Sequence, residues 1–206
     1  MKKHVIVPLG LLFFLWACQS DQSVDVKSQE QAKALDVQAE KIDTAYYLNL
    51  GDSLARETFD TLSAALKAQV EANGAAGALT YCNAEAYPIT ALLAKDGIKI
   101  RRTSLQFRNP ANAPSSLEEE VLEWYANEKN YSRALTNTLR SDKGEIHFFK
   151  PILVQEMCLK CHGTPEKDIE IKTMEALQKL YPEDLARNYA AGDLRGAWHI
   201  SFPEQP

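Results

Sequence analysis

The spacing of apolar residues predicts a folded domain that begins with two helical segments. Large apolar side chains recur three or four residues apart at Leu54, Phe59, Leu62, Leu66 and Val70. This spacing places them on one face of an amphipathic helix. The helix is predicted to end at Asn73-Gly74, since glycine adopts backbone angles that stop a helix. A second helix is predicted over residues 75–95, with a break before Pro88.

Several later segments alternate between apolar and polar positions, as is typical of half-buried strands. Strands are predicted at residues 98–103, 131–139, 145–154 and 194–202. The middle two form a hairpin around Ser141-Asp142-Lys143-Gly144. After a loop over residues 108–114, Ser116 and Glu119 have the spacing of a capping box and predict the start of a helix. Two further short helices are predicted near residues 173–180 and 183–189.

Helices followed by strands in hairpin style predict an α+β domain. A PAS-like arrangement, with N-terminal helices and an antiparallel sheet, fits this order. The chain has 206 residues, which is enough for one hydrophobic core. Its 45% hydrophobic and 25% charged residues lie near the globular average. The net charge of -5 and the lack of a basic stripe argue against a nucleic-acid partner.

The first 18 residues differ from this domain. Lys2 and Lys3 precede an apolar run over residues 5–16, which is too short to span a bilayer as a helix. The run ends in Leu15-Trp16-Ala17-Cys18, which resembles a bacterial lipoprotein signal whose cysteine becomes lipidated. A plain secretory signal and an uncleaved anchor are the alternatives. We therefore expect an extracytoplasmic protein on the periplasmic side, anchored to a membrane through Cys18.

The composition of the residues after the signal predicts a polar tether. Residues 19–43 consist largely of Gln, Ser, Asp, Lys and Ala and cannot bury a core. The PAS-like domain is therefore predicted to occupy residues 44–206.

The strongest chemical signal is Cys158-Leu159-Lys160-Cys161-His162. In a CxxCH motif the two thiols can add to the two vinyl groups of one haem, and the following histidine becomes an axial ligand of the iron. Cys158 and Cys161 are therefore predicted thioether anchors of one covalent haem c, with His162 as iron ligand.

Two other interpretations of this motif remain open. A disulfide between Cys158 and Cys161 is possible in an exported protein, and a zinc site could form if Cys82 joined Cys158, Cys161 and His162. A redox-active CxxC is disfavoured, because the thioredoxin-like strand and helix pattern around it is missing.

A sixth iron ligand can be sought among the remaining sulfur and imidazole groups. Cys82 would be left without a partner in an oxidising compartment if Cys18 carries lipid and two thiols hold haem. It is therefore preferred, with His199 and His147 as rivals. Met157 adjoins the anchor on the wrong side, and Met174 fits a core role. Haem propionates need cationic or amide donors, which could come from Arg101, Arg102, Arg108, Asn109 and Asn112.

Four stretches together resemble a family of exported, single-haem c-type proteins with a PAS-like fold that was long catalogued as a domain of unknown function. They are Ala78-Leu79-Thr80-Tyr81-Cys82-Asn83, residues 102–114, Cys158-Leu159-Lys160-Cys161-His162-Gly163 and residues 189–197. The resemblance implies His162 and Cys82 as the two axial ligands, and redox sensing or electron transfer as the role. His199 departs from the pattern, since such proteins tend to carry a small residue there.

Three functions are compatible with this interpretation. The first is membrane-anchored electron transfer or redox sensing with a redox partner protein or quinol. The alternative is a gas or small-ligand sensor that signals through a separate partner. An enzyme such as a peroxidase is disfavoured, because a thiolate ligand at Cys82 would block the open iron position that catalysis needs.

Overall fold

The computed structural model describes residues 43–127 and 137–203. Its helices are α1 (Thr44–Leu93), α2 (Ser116–Asn127), α3 (Leu159–His162) and α4 (Ile171–Leu180). Its strands are β1 (Lys99–Thr103), β2 (Thr138–Asp142), β3 (Glu145–Leu153) and β4 (Leu194–Phe202). Short 3-10 turns occupy Pro110–Asn112 and Glu156–Cys158. The predicted α+β class with an antiparallel sheet is confirmed, while the covalent haem remains a prediction.

Several sequence-based predictions fall outside the described residues. They concern the signal peptide, Cys18, the tether up to residue 42 and residues 131–136 of the predicted second strand. The domain boundaries at residues 18 and 43 therefore stay predictions. Among the helices of the described part, none is long and apolar enough to cross a membrane.

Helix α1 contains a sharp change of direction at Gly74. This residue has φ 69° and ψ 174°, so the helical geometry is interrupted where Asn73-Gly74 predicted an end. Glycine adopts a positive φ without the steric cost that a side chain brings. The predicted break before Pro88 is wrong, because α1 continues to Leu93. A proline within a helix removes one backbone hydrogen bond, and α1, which also contacts α4, continues past it.

The four strands form one sheet in the order β1-β4-β3-β2, with every neighbouring pair antiparallel. The predicted hairpin joins β2 and β3 through Lys143 and Gly144, whose φ angles are 50° and 83°. Two positive φ angles in succession are what a two-residue type I′ turn requires. Gly196 on β4 has φ 157°, and a β-carbon there would collide with the backbone carbonyl of Thr103.

The two faces of the sheet carry different helices. On the first face, α1 packs against a cluster that includes Ile146, Phe148, Trp198, Ile200 and Phe202. On the second face, α2 packs its Val121, Leu122 and Tyr125 against Phe149 and Ala197. Alternate residues of a strand point to opposite faces. The side chains of His147 and His199 therefore belong to the α2 face, and that of Arg102 belongs to the α1 face.

The buried side of α1 is built from smaller residues than its sequence pattern predicted. Tyr47, Gly51, Ala55 and Thr58 are buried at helical spacing, whereas Phe59 is 38% exposed. The backbone of α1 can approach the sheet closely because Gly51 has no side chain and lies against the ring of Phe148.

Replacing Gly51 with alanine is expected to lower the free energy of unfolding by about 1–3 kcal/mol, the usual cost of overpacking. A β-carbon at this position would collide with the Phe148 ring. At an exposed helical site, replacing glycine with alanine would raise the free energy of unfolding by up to about 1 kcal/mol. The sign of the change therefore tells whether residue 51 is packed closely against the sheet. Urea denaturation measures it, with the exposed Ser53→Ala as control. An unchanged or raised stability of Gly51→Ala would contradict this packing.

Candidate functional site

The CxxCH residues lie on one continuous helical turn. The 3-10 turn Glu156–Cys158 leads directly into α3, which ends at His162. The amide of Cys158 donates to the carbonyl of Gln155 at 2.9 Å. Cys158 and Cys161 are half-buried, so their thiols are accessible to a cofactor while their backbone is fixed.

The imidazole of His162 is held by one backbone carbonyl. Its Nδ1 lies 2.9 Å from the carbonyl oxygen of Ala186. A carbonyl only accepts hydrogen bonds, so Nδ1 carries the proton and Nε2 keeps its lone pair for a metal. Burial lowers the pKa of His162 well below its usual value, and the nearby charges of Arg108, Arg195 and Arg102 lower it further. The ring is thus kept neutral, which is the form that binds iron.

The segment that supplies this carbonyl wraps around the CxxCH turn. The amide of Asn188 donates to the carbonyl of Gly163 at 2.9 Å, and that of Tyr189 donates to the carbonyl of His162 at 3.0 Å. The helix predicted near residues 183–189 is wrong, because this segment has no helix. The amides of Asn188 and Tyr189 bond to the CxxCH turn and that of Leu185 bonds to Phe107, so the regular bonds of a helix are not formed.

Arg108 lies beneath this segment and forms a buried ion pair with Asp184. Its guanidinium Nε donates to Asp184 Oδ1 at 3.1 Å, and the two residues are 9% and 4% exposed. Its Nη2 donates to the carbonyl oxygens of Cys161 and Ala186. The structure therefore places Arg108 next to the CxxCH turn, where its described partners are Asp184 and two backbone carbonyls.

Cys82 lies on the second half of α1 and is half-buried. Burial raises the pKa of its thiol, while the charges of Arg102 and Arg108 act to lower it. Burial also raises the pKa of Cys161, and the charge of Cys82 is among the further causes. Cys82 and Cys161 therefore share the charge of Arg108, although they are far apart in the sequence.

The packing around Cys82 explains how α1 reaches the motif. Three residues before it, Leu79 is buried in a cluster with Ile169, Leu177 and Tyr181. Cys161 and Met174 pack against the same cluster, so Met174 has the core role that its sequence position indicated. Met157 is 45% exposed.

The other predicted polar residues divide between the two sheet faces. On the α1 face, the guanidinium of Arg102 lies 5.8 Å from the centre of the Trp198 ring. Asn109 caps the 3-10 turn that begins at Pro110, since its side-chain oxygen accepts the amide of Ala111 at 3.0 Å. Arg101 points to the α2 face, where it bonds to Glu118 at 3.0 Å. The propionate contacts assigned to Arg102, Arg108 and Asn109 stay predictions.

The two rival ligands, His147 and His199, bond to each other. His147 Nδ1 and His199 Nε2 are 3.0 Å apart, and His199 Nδ1 lies 2.7 Å from Glu118 Oε1. His199 also stacks on Phe149, with ring centres 4.4 Å apart. Both imidazoles thus lie in a network on the α2 face, whereas Arg102 and Cys82 interact on the α1 side. The structure does not bring either histidine to His162.

Glu118 is the centre of this network and is fully buried. Burial alone would raise its pKa, but hydrogen bonds from His199 and the Ser115 amide, with the charge of Arg101, lower the pKa below its usual value. The Ser115 amide donates to Glu118 at 2.7 Å, and the Glu118 amide donates to Ser115 Oγ at 3.4 Å. The capping box predicted for Ser116 and Glu119 is therefore one residue earlier, because Glu118 is the acid that faces the sheet.

The stability of the fold is expected to fall as pH is lowered from 7 to 5. Burial and the charge of His199 lower the pKa of His147, although Glu145 and Asp142 oppose this. Below about pH 6.5 the unfolded chain therefore binds a proton that the folded chain does not. Urea unfolding across this range should show a smaller fall for His147→Phe, which cannot titrate. Identical pH slopes in the two proteins would exclude this contribution.

Sequence reasoning missed several residues that build the site. Asp184 and Ala186 fix Arg108 and His162, and Tyr189 lies 6.3 Å from the His162 ring. Arg195 donates to Ser104 Oγ at 2.8 Å and lies over the ring of Tyr189 at 5.5 Å. The only signal for these residues was that Tyr189 and Arg195 belong to the stretch 189–197, which carried the family resemblance.

The thiols near the motif are available for chemistry. Within residues 43–127 and 137–203, Cys82, Cys158 and Cys161 are all free, with no disulfide between them. In the same ranges, no group of three or more His, Cys, Asp or Glu side chains is arranged to hold a metal ion on its own.

Comparison with known proteins gives two matches. A family model described as Tll0287-like matches residues 21–203. The chain is also similar to the solved structure of the cyanobacterial heme-protein Tll0287, with 31% sequence identity and a TM-score of 0.48. That match covers 58% of this chain and 71% of the other. No curated protein matches the chain.

Proposed function

The chain belongs to the Tll0287-like family, and from this premise we propose that it is a haem protein with one haem c attached through Cys158 and Cys161. The related cyanobacterial protein is a heme-protein, and its 31% sequence identity supports the same class of cofactor here. The CxxCH motif supports the covalent form, because its two thiols are spaced for the two vinyl groups of one ring.

The donor set at the site fits a haem iron. His162 presents a neutral imidazole whose Nδ1 is bonded to Ala186, so Nε2 is the atom that would bind iron. The single observation that carries the proposal is this fixed imidazole, on the same helical turn as two free thiols. A structural disulfide between Cys158 and Cys161 would not explain why the His162 ring is held with Nε2 free to bind a metal.

Cys82 is proposed as the ligand on the opposite side of the iron. Its thiol is half-buried; burial raises the pKa of this thiol, and the charges of Arg102 and Arg108 partly oppose the rise. A thiolate donates electron density and stabilises ferric iron, so we expect a low reduction potential. Arg102, with its cationic side chain on the α1 face, is proposed to contact a propionate.

When bound, the haem supplies an iron centre that accepts and releases single electrons. The protein would hold it through the sulfurs of Cys158 and Cys161, and His162 and Cys82 would offer an imidazole and a thiolate to its iron. An iron with both positions filled has no site for substrate, which favours electron transfer or redox sensing. We further propose that the protein is anchored to a membrane through Cys18, outside the cytoplasm, and exchanges electrons with a redox protein or quinol.

A pyridine haemochrome spectrum of the full chain, produced in a host with cytochrome c assembly machinery, tests this proposal. We expect the spectrum of a haem with two thioether links, and a stoichiometry of one haem per chain. Protein that runs colourless on a denaturing gel, with the mass of the bare polypeptide, would refute it. Carbon monoxide binding by the ferrous wild-type protein would instead favour the sensor function.

A further inference from the structure

One backbone carbonyl, that of Ala186, accepts hydrogen bonds from two donors of different charge. His162 Nδ1 lies 2.9 Å from this oxygen, and Arg108 Nη2 lies 3.1 Å from it. The first donor belongs to the proposed iron ligand and the second to a guanidinium cation. Any change in one of these bonds must therefore affect the other.

The guanidinium cannot easily leave this position. Its Nε is paired with Asp184 Oδ1 at 3.1 Å, and its Nη2 also donates to the carbonyl of Cys161. The same Asp184 oxygen accepts the amide of Ala186 at 2.9 Å. Arg108 and Asp184 thus hold both polar groups of residue 186, the amide and the carbonyl. A buried ion pair of this kind is stable only while every member stays in place.

The hydrogen bond on Nδ1 determines how strongly an imidazole donates to its metal. A strong acceptor draws the Nδ1 proton away and makes Nε2 a better electron donor. A carbonyl that is already bonded to a cation is a weaker acceptor, because the cation polarises the same lone pairs. Arg108 therefore limits the electron density that His162 can pass to iron, while it keeps the ring oriented.

We propose that Arg108 and Asp184 are positioning residues that fix the Ala186 carbonyl and thereby set the donor strength of His162. This inference rests on the proposed haem function. It gives Arg108 a role different from the propionate contact expected from sequence, because its Nε and Nη2 donate to Asp184 and to backbone carbonyls. The pair works through the ligand and touches neither iron nor substrate.

Two substitutions should change the donor strength in opposite directions. Arg108→Gln removes the cation, so the Ala186 carbonyl becomes a better acceptor and His162 a stronger donor. Asp184→Asn keeps an oxygen that can accept the Ala186 amide, but it leaves Arg108 without its anion. The guanidinium then polarises the carbonyl more strongly, and His162 becomes a weaker donor. Arg108→Lys, which keeps a cation, should lie between wild type and Arg108→Gln.

The test uses the stretching vibration between iron and His162, measured by resonance Raman spectroscopy on ferrous full-length protein. All variants carry Cys82→Ala, which removes the proposed opposite ligand so that this vibration can be observed. We expect a higher frequency for Arg108→Gln and a lower one for Asp184→Asn. Arg56→Gln is the matched control, because it removes an arginine that is paired with Asp52 on the half of α1 that packs on the sheet. It should leave the frequency unchanged.

The outcomes separate this inference from the proposed function. Frequencies that do not move, or that move equally for Arg108→Gln and Arg56→Gln, would overturn the role of Arg108 while leaving the haem in place. If Arg108→Gln fails to mature, the opposed shifts of Asp184→Asn and Arg108→Lys decide the question. A wild-type chain without covalent haem would instead refute the proposed function itself.

Discussion

Replacing Cys82 with alanine is expected to convert the haem spectrum from six-coordinate, low-spin to five-coordinate or histidine and water coordination. The charge of Cys82 acts on Cys161 of the CxxCH turn, and the charges of Arg102 and Arg108 partly offset the rise that burial causes in the pKa of the Cys82 thiol. With the thiolate lost, ferric iron loses its strongest donor, and the reduction potential should rise. Optical and electron paramagnetic resonance spectra of the purified protein measure the spin state, and a redox titration measures the potential.

His147→Phe and His199→Phe are the matched controls for this experiment. Both imidazoles lie in the network with Glu118 on the α2 face of the sheet, so neither change should alter the iron spectrum. A low-spin spectrum that survives Cys82→Ala but disappears with either histidine would reject Cys82 as the ligand. It would also mean that the sheet rearranges when haem binds.

Removing both Cys158 and Cys161 is expected to abolish covalent attachment completely. Each thiol is proposed to form one of the two thioether links, and the double Cys→Ala variant has no sulfur left to form either. Haem staining of a denaturing gel should be lost, and the mass of the chain should fall to that of the polypeptide. A single Cys161→Ala variant should keep one link, with a shifted absorption band in the pyridine haemochrome spectrum.

Cys82→Ala serves here as the control for the loss of a cysteine, since it should retain covalent haem. Haem staining that persists in the double variant would show that another side chain forms the attachment. Loss of staining in Cys82→Ala alone would mean that the opposite ligand is needed for attachment.

Local patterns predicted much of this architecture correctly. The Asn73-Gly74 pair indicated the kink in α1, and Lys143-Gly144 indicated the hairpin turn. In both places a glycine has a positive φ, and glycine is the residue that local sequence patterns place at such positions. The CxxCH motif, whose haem attachment stays a prediction, likewise consists of five consecutive residues, and they form one helical turn. Each of these features depends on groups that are neighbours in sequence, which is why sequence alone sufficed.

The features that could not be predicted depend on contacts between distant parts of the chain. Arg108 pairs with Asp184, and residues 183–189 are not helical because their backbone groups bond to the CxxCH turn. His147 and His199 meet only because β3 and β4 are adjacent in one particular register. No local propensity specifies such partners. The shift of the capping box to Ser115 and Glu118 has the same origin, since Glu118 faces the sheet.

The kink at Gly74 also affects the direction in which the Cys82 side chain points from α1. The part of α1 before it packs on the sheet, and the part after it packs with α4 through Leu79. Each residue of an α-helix advances the side-chain direction by about 100°. One residue inserted between Gly74 and Cys82 would therefore turn the thiol away from the CxxCH turn without changing any side chain. The length of this stretch, seven intervening positions by numbering, sets the helical phase of the proposed ligand.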